Sequence, residues 1–179
     1  GKWFSRMLDS KNINVILNQD YFDYKEDVKV PTIYTGPMDK FYNFSEGHLG
    51  WRTLDFEFEV LNKDDFQGTS VMNYADSQDE FTRIHEFKHL HPERKYLEGV
   101  TVICREFSRR ANKDDEPYYP INSTQDRKIV EKYRSMIEKD KEKLIFFGGR
   151  LGTYKYLDMH MAIASALNFY DNTLKAVLT

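Results

Sequence analysis

The sequence has little of several things, and each shortage excludes a class of protein. Its 179 residues contain one cysteine, Cys104, so no internal disulfide forms, which is typical of a reducing compartment. No apolar run approaches the roughly 20 residues of a membrane-spanning helix. The 26 Lys and Arg against 29 Asp and Glu give a net charge of −3, which argues against nucleic acid or an anionic membrane as a partner. The glycine-rich dinucleotide motif G-x-G-x-x-G is also missing.

The beginning of the chain lacks two common features. The first residue is Gly1 rather than methionine, and no basic segment followed by an apolar one suggests a signal peptide. We therefore expect an excised piece of a longer protein. Hydrophobic residues make up 40% of the chain, which favours a folded domain. Aromatic residues reach 15%, which suits a sheet-rich domain with a sugar, nucleotide or flavin site and equally an ordinary aromatic core.

Alternation of apolar and polar residues predicts a sheet. Residues 53–61 place Leu54, Phe56, Phe58 and Val60 on one face and acidic residues on the other. Short connections favour an antiparallel meander. Further strands are predicted over 12–17, 30–36, 68–75, 81–90, 99–108 and 144–147.

Helical spacing is found at both ends and late in the chain. Helices are predicted over 2–9, over 124–140 with a cap at 122–124, and over 156–178, and an acidic surface loop over 20–27. The inner stripe of the second helix is Ile129, Val130, Tyr133 and Ile137. The fold class is therefore α+β, a mixed α/β arrangement in which helices flank an antiparallel sheet.

The string His85-Glu86-Phe87-Lys88-His89 matches H-E-x-x-H, a zinc-protease pattern. That chemistry needs both histidines on one face of a helix. The surrounding residues alternate as in a strand, where positions four apart lie roughly 13 Å from each other. We therefore predict strand side chains without a metal, and keep a zinc hydrolase as a rival hypothesis.

Other segments have the chemistry to bind an anion. Residues 144–150 form a buried strand, two glycines and Arg150 before a helix, which suits a diphosphate or an electron-rich ring and also a plain turn. Arg83 could clamp a phosphate, or lie on a strand surface. The proline-bracketed pair Tyr118-Tyr119 could bind a phosphate or sugar through its hydroxyls, or could pack under a loop. Tyr156 and Asp158, at the start of the last predicted helix, could line a ligand pocket, or Asp158 could cap the helix.

Several short strings distributed along the chain are distinctive in combination. They are Tyr34-Thr35-Gly36-Pro37-Met38-Asp39, Trp51-Arg52-Thr53-Leu54, Phe66-Gln67-Gly68, Thr82-Arg83-Ile84, Glu116-Pro117-Tyr118-Tyr119-Pro120-Ile121-Asn122, Phe147-Gly148-Gly149-Arg150-Leu151, and Tyr154 through Tyr156, Asp158, Met159 and His160. Together these strings resemble the UDP-galactopyranose mutases, a family of flavoenzymes. Their order and spacing fit nearly the whole chain but only the C-terminal half of the family's length.

The resemblance implies a division of the chain and a reaction. Residues 1–40 and 141–179 would be returning parts of an FAD-binding domain, and 41–140 a substrate domain with an antiparallel sheet and one helix. The family interconverts UDP-galactopyranose and UDP-galactofuranose, with N5 of reduced FAD attacking the anomeric carbon. The glycine-rich half of the FAD site would be absent, so the fragment alone is expected to be inactive. The resemblance also implies a homodimer and cell-wall polysaccharide synthesis in a bacterial cytoplasm.

Site residues follow from the resemblance position by position. Arg83, Tyr119 and Tyr156 match catalytic residues that bind the UDP diphosphate, and Asn73 and Glu106 match residues near the sugar. Gly149, Arg150, Asp158, Met159 and Arg52 match flavin contacts, and no metal is expected. Three positions depart from the family: Leu157 and Phe81 replace tyrosines, and His85 replaces an aliphatic residue. A non-catalytic nucleotide-sugar-binding module and a flavoprotein for another sugar nucleotide remain alternatives.

Overall fold

The computed structural model describes residues 2–23 and 30–178, which belong to two compact units, residues 1–30 and 31–179. In the first unit, helix α1 (Lys2–Leu8) confirms the predicted helix. The strand predicted over 12–17 is wrong, because these residues have no strand partner for their backbone groups. A 3-10 turn follows at Tyr21–Asp23, and most of the predicted acidic loop at 20–27 lies outside the described residues.

The second unit contains two sheets and the remaining helices. Between the two strands of the smaller, parallel sheet the chain builds a five-stranded antiparallel sheet and its longest described helix. The elements are β1 (Thr32–Tyr34), α2 (Met38–Phe41), β2 (Trp51–Leu61), β3 (Val71–Asn73), β4 (Arg83–Glu86), β5 (Thr101–Arg110), β6 (Tyr119–Pro120), α3 (Thr124–Asp140), β7 (Ile145–Phe147), α4 (Gly149–Thr153), α5 (Met159–Phe169) and α6 (Lys175–Leu178).

The five-stranded sheet has the order β3-β4-β5-β2-β6, with every neighbouring pair antiparallel. The antiparallel α+β prediction is confirmed, but the simple meander is wrong. β2 comes first in the chain yet lies between β5 and β6, pairing with β5 along ten consecutive residues. The two longest strands, β2 and β5, thus form a paired unit, to which β6 adds on the side of β2, and β4 and then β3 on the side of β5.

The small sheet pairs β1 with β7 in parallel, so the predicted strands at 30–36 and 144–147 are confirmed in shortened form. Helix α4 follows β7 directly and packs against the end of β1. A Cβ atom added to Gly152 would lie 2.9 Å from the carbonyl oxygen of Tyr34. Only glycine allows this close approach of helix and strand.

Helix α3 has the bounds that the sequence predicted, and it covers a core at one end of the larger sheet. Val130 and Tyr133 are buried, while Ile129 and Ile137 pack on the core from its margin. The Tyr133 hydroxyl donates to the carbonyl oxygen of Gly47 at 2.8 Å. The buried core residues are Met38, Leu49, Trp51, Val130, Tyr133 and Tyr154.

A capping box begins α3. The Ser123 hydroxyl accepts from the Asp126 backbone N–H, while an Asp126 carboxylate oxygen accepts from the Ser123 N–H. We expect Ser123→Ala to lower the free energy of unfolding by about 1 kcal/mol, because one backbone donor loses its acceptor. Urea denaturation measures the change. Ser135→Ala, in the exposed middle of α3, is the control, and an equal loss there would contradict the capping explanation.

The last helical segment starts later and is less regular than predicted. Tyr154 has a left-handed backbone with φ of 51°, and α5 begins only after the N-cap residue Asp158. A π-helical turn at Tyr170–Leu174 then separates α5 from α6. No residue of α5 is buried within the described part of the chain. Among the described helices, none is both long and apolar enough to cross a bilayer.

Candidate active site

The strand register places the predicted sheet residues on one face. Arg83 pairs with both Asn73 and Glu106, and Tyr119 pairs with Arg52. Paired residues in neighbouring strands point to the same side, and side chains alternate along each strand. Asn73, Arg83 and Glu106 form a first group, and Arg52 and Tyr119 belong to a second. Strand β2 connects the two groups: Phe56 pairs with Glu106, and Arg52, an even number of positions away on β2, points to the same side as Phe56. We call this side of the sheet the Arg83 face.

Glu106 is the buried centre of the first group. One carboxylate oxygen, Oε1, lies 3.3 Å from Nε of Arg83, and the other, Oε2, lies 3.2 Å from Nε2 of His85. Thr82 donates its hydroxyl to the backbone carbonyl of Glu106 at 3.1 Å. A carboxylate removed from water in this way needs nearby donors or positive charge, which these neighbours supply.

Arg83 is anchored on one side and accessible on the other. Its side chain is 37% exposed, whereas that of Glu106 is 6% exposed. Nε is turned toward Glu106 without an aligned hydrogen bond. A guanidinium with one edge held by a carboxylate and the rest open to solvent can bind a phosphate group through paired N–H donors.

The second group stacks two tyrosines beneath an arginine. The rings of Tyr119 and Tyr156 lie 5.9 Å apart with an interplanar angle of 22°. The Arg150 guanidinium carbon lies 5.5 Å from the Tyr119 ring centre and 5.1 Å from that of Tyr156. Arg150 also donates to the carbonyl oxygen of Tyr118 at 2.7 Å. A cation over two rings fixes both tyrosines while leaving their hydroxyls to other partners.

The hydroxyl of Tyr156 stays a donor. A hydrogen bond to Asp158, assisted by the negative charge of that carboxylate, raises the pKa of Tyr156 above its ordinary value. The proton is therefore retained throughout the neutral range. Asp158 also occupies the N-cap position of α5 without bonding the helix through its side chain, so the sequence-based alternative of side-chain capping is wrong.

The residues matched to flavin contacts lie at the β7–α4 turn and the start of α5. Gly149 has a φ of 71°, a conformation that favours glycine. Nε of Arg150 is buried without a hydrogen-bond partner, so a donor remains for an electron-rich group. Met159 is exposed at the first turn of α5. These features fit a flavin. Arg52, by contrast, is bonded to Ser108 on the Arg83 face.

The two histidines of the H-E-x-x-H string lie on opposite faces of the sheet. β4 ends at Glu86, and a 3-10 turn at Phe87–Leu90 replaces the predicted continuation of the strand. His85 contacts Glu106 on the Arg83 face, while His89 Nε2 lies 3.4 Å from Glu86 on the other face. The two rings therefore do not share a metal ion, which counts against the zinc hydrolase built on them.

His89 belongs to a network that fixes a loop. Its Nε2 lies 3.0 Å from Asp65, and these two residues form with Glu86 a group whose ligand-type atoms all lie within 4.8 Å of one another. The Glu86 carboxylate already accepts from the backbone N–H groups of Phe66 and Gln67 and from the Thr101 hydroxyl. Hydrogen bonds thus occupy the Glu86 carboxylate, whereas Nε2 of His89 is buried without an aligned hydrogen-bond partner, and the expectation of no metal stays a prediction.

Two cavities are formed by residues that lie mostly away from the Arg83 face. One of about 760 Å³ is lined by Trp51, Arg110 and Leu151 among others, and none of the predicted site residues contributes to it. A second, of about 530 Å³, includes Tyr156.

Comparison with known proteins identifies a class first, the sugar-nucleotide mutases. The chain is 40% identical to a probable UDP-galactopyranose mutase of Klebsiella pneumoniae over 178 residues, 97% of this chain and 45% of that protein. It is 42% identical to a dTDP-fucopyranose mutase of Escherichia coli over 135 residues, 75% and 34% of the two chains. A UDP-galactopyranose mutase of Mycoplasma genitalium is 32% identical over 155 residues, 85% and 38%.

A sequence profile then identifies the particular family. The sequence profile of UDP-galactopyranose mutase matches residues 1–156, and the chain belongs to this family. It spans less than half the length of the curated relatives just named.

Sequence reasoning missed two contacts of the candidate site. The contact between His85 and Glu106 was not predicted, although the replacement of an aliphatic residue by a histidine in the middle of a strand was its signal. The position of Arg150 above two tyrosines was also missed, because Tyr119 and Arg150 are far apart in the chain and only the fold joins them.

Proposed function

We propose that the chain is part of an enzyme that interconverts UDP-galactopyranose and UDP-galactofuranose, and that it supplies the substrate diphosphate site. The observation that carries this proposal is the Arg83 face, where an accessible guanidinium lies beside a buried carboxylate. Family membership supports the reaction class, and the accessible arginine supports an anionic substrate.

Each residue of the face has a part in holding the substrate. Arg83 binds the diphosphate through its open N–H donors. Tyr119 donates its hydroxyl to a phosphate oxygen, and Tyr156 exchanges its hydrogen bond to Asp158 for one to a phosphate oxygen when substrate binds, while Arg150 keeps both rings in place. Glu106 holds Arg83 in place, and Asn73, across from Arg83, reaches toward the sugar.

FAD in its reduced form is the cofactor of this proposal. When bound, it supplies a nitrogen nucleophile for the anomeric carbon of the sugar. Gly149, which has no side chain, would allow the flavin close to the backbone, and the buried Nε of Arg150 would supply a hydrogen-bond donor to it. Asp158 and Met159 line the approach at the start of α5, and Arg52 contributes from the sheet.

The proposal includes the domain division predicted from the sequence. Residues 1–40 and 141–179 would return to the FAD-binding domain, which agrees with the pairing of β1 with β7. Residues 41–140 would carry the substrate sheet. The exposed apolar residues of α5, among them Met159 and Leu167, suit contact with further parts of a longer protein. We infer that the isolated chain is inactive and binds FAD poorly, and that the whole protein is a cytoplasmic, bacterial homodimer that serves cell-wall polysaccharide synthesis.

The test uses the full-length protein. It is purified, reduced with dithionite and assayed for conversion of UDP-galactofuranose to UDP-galactopyranose. Flavin colour and turnover only in the reduced state are the expected results. Absence of flavin would contradict the mutase proposal and favour the nucleotide-sugar-binding module. Retention of flavin by residues 1–179 alone would contradict the expected weak binding of the isolated chain.

A second sugar nucleotide is also a candidate substrate. The Escherichia coli relative, 42% identical, carries the name of a dTDP-fucopyranose mutase. The Arg83 face is suited to the diphosphate that both substrates share and leaves the base and sugar open. Parallel assays of the full-length protein with both sugar nucleotides distinguish the two candidates. A higher kcat/KM for the dTDP-sugar would favour the second candidate over the UDP-sugar.

Replacing Tyr156 by phenylalanine tests the role of the hydroxyl. We expect Tyr156→Phe to lower kcat/KM by about tenfold to a hundredfold, since a hydrogen bond to a charged group contributes roughly 1.5–3 kcal/mol while the ring stack on Tyr119 is kept. Steady-state kinetics of the reduced protein measures it. Tyr96→Phe, an exposed tyrosine bonded to the His91 carbonyl oxygen, is the control and should keep full activity.

A further inference from the structure

His85 has no role in the reaction described so far, yet it touches the carboxylate that holds Arg83. Its Nε2 lies 3.2 Å from Oε2 of Glu106, while Nε of Arg83 lies 3.3 Å from Oε1. The guanidinium of Arg83 and the imidazole of His85 therefore share one buried carboxylate, one on each oxygen. A change in the charge of His85 therefore changes the strength of the electrostatic attraction between Glu106 and Arg83.

The surroundings of His85 leave Glu106 as its main electrostatic partner. On its own strand the nearest charged residue on that face is Arg83. β5 presents Glu106 and Cys104, and burial keeps Cys104 a neutral thiol by raising its pKa. β3 presents Val71, and the following turn presents Phe87, whose ring lies 5.9 Å from that of His85 at an angle of 7°. The acidic residues of β2 point to the opposite face.

We propose that His85 is a positioning residue which, by taking up a proton when substrate binds, neutralises Glu106 and frees the positive charge of Arg83 for the substrate diphosphate. The inference rests on the proposed diphosphate site. With His85 neutral, the group of Arg83, Glu106 and His85 has no net charge. With His85 protonated, the same group carries one positive charge beside the bound anion, which favours binding.

Proton uptake on binding is the direct signature. UDP-galactose is the probe, because its diphosphate does not titrate near neutral pH and the oxidised flavoprotein does not turn it over. Calorimetry of the full-length protein in two buffers of different ionisation enthalpy at about pH 7 measures the protons bound. We expect a clear fraction of one proton to be taken up, and affinity to rise about threefold to tenfold from pH 8 to pH 6.

Two substitutions distinguish positioning from simple structure. His85→Gln keeps an N–H donor for Glu106 but cannot be protonated, so it should bind with nearly wild-type affinity at pH 8, with no proton uptake and a flat pH profile. His91→Gln is the control, since His91 is an exposed histidine paired with Glu93, and it should keep the uptake. Uptake that persists in His85→Gln would assign the proton to Glu106 and overturn the inference.

The same titrations separate this inference from the function on which it rests. Binding that Arg83→Ala abolishes, without proton uptake in the wild type, would overturn the role of His85 and keep the diphosphate site. No binding of UDP-galactose by the wild type would overturn both. Collapse of wild-type affinity in His85→Gln at pH 8 would show a structural role and overturn the proposal.

Discussion

Arg83→Ala should lower kcat/KM of the reduced full-length protein by about a hundredfold or more. The variant removes paired, charge-assisted donors to a phosphate and leaves the buried Glu106 without its strongest neighbour. Each factor of ten corresponds to about 1.4 kcal/mol of transition-state stabilisation. Steady-state assays of UDP-galactofuranose conversion measure the loss. Arg83→Lys should restore only part of it, because a lysine cannot bind bidentately.

The neighbouring strand provides a matched control. Arg105 lies on β5 next to Glu106 but points to the opposite face, where it is paired with Glu59 at 2.7 Å. Such partly exposed pairs contribute roughly 0–1 kcal/mol. Arg105→Ala should therefore keep nearly full activity. An equal loss in both variants would show that general damage to the sheet, rather than diphosphate binding, explains the effect of Arg83→Ala.

Glu86→Ala should lower the free energy of unfolding by roughly 3 kcal/mol or more. The Glu86 side chain is fully buried and accepts from the Phe66 and Gln67 backbone N–H groups and from the Thr101 hydroxyl. Removing it leaves buried donors without acceptors, each at a cost of about 1–3 kcal/mol. Urea denaturation measures the loss. Glu93→Ala, an exposed carboxylate, is the control and should cost little.

The same carboxylate gives a pH dependence with a definite sign. Burial alone would raise the pKa of Glu86, but hydrogen bonds from Thr101, Gln67 and Phe66 outweigh it and hold the pKa below its ordinary value. A group whose pKa is lowered on folding contributes stability above its unfolded pKa and loses it as the pH falls through the folded value. Wild-type stability should therefore fall more steeply than that of Glu86→Gln below about pH 4.5. Parallel curves would contradict this role.

The sequence predicted best where local signals agree. The bounds of α3 were correct because Ser123 and Asp126 form a cap and the apolar stripe through Val130 and Tyr133 has helical spacing. The central part of β2 was correct because its alternation is long and regular. In both elements, the residues that determine the structure lie within the element itself.

The predicted element bounds are wrong where contacts between residues far apart in the sequence determine the structure. The strand through His85 was extended to residue 90, but the bonds that Glu86 makes to the loop at Phe66 and Gln67 end it. The final helix was started at residue 156, but Tyr154 turns left-handed, and its hydroxyl bonds the carbonyl oxygen of Gly50 in the core. Alternation could place Arg83 and Glu106 each on a strand face, whereas the strand order that unites them could not be deduced from it.

The pairing of β1 with β7 has a consequence for the order of folding. The first strand of the small parallel sheet, β1, ends at Tyr34. The chain then forms the whole larger sheet and α3 before the second strand of the small sheet, β7, begins at Ile145. Closing such a long loop lowers the entropy of the chain by more than the few contacts of the short β1–β7 pair can offset. The more extensive β4–β5 and β2–β5 pairs close shorter loops and can therefore form earlier. We expect the inserted sheet to form first and the parallel pair to join last, so weakening β7 should accelerate unfolding while leaving the folding rate almost unchanged.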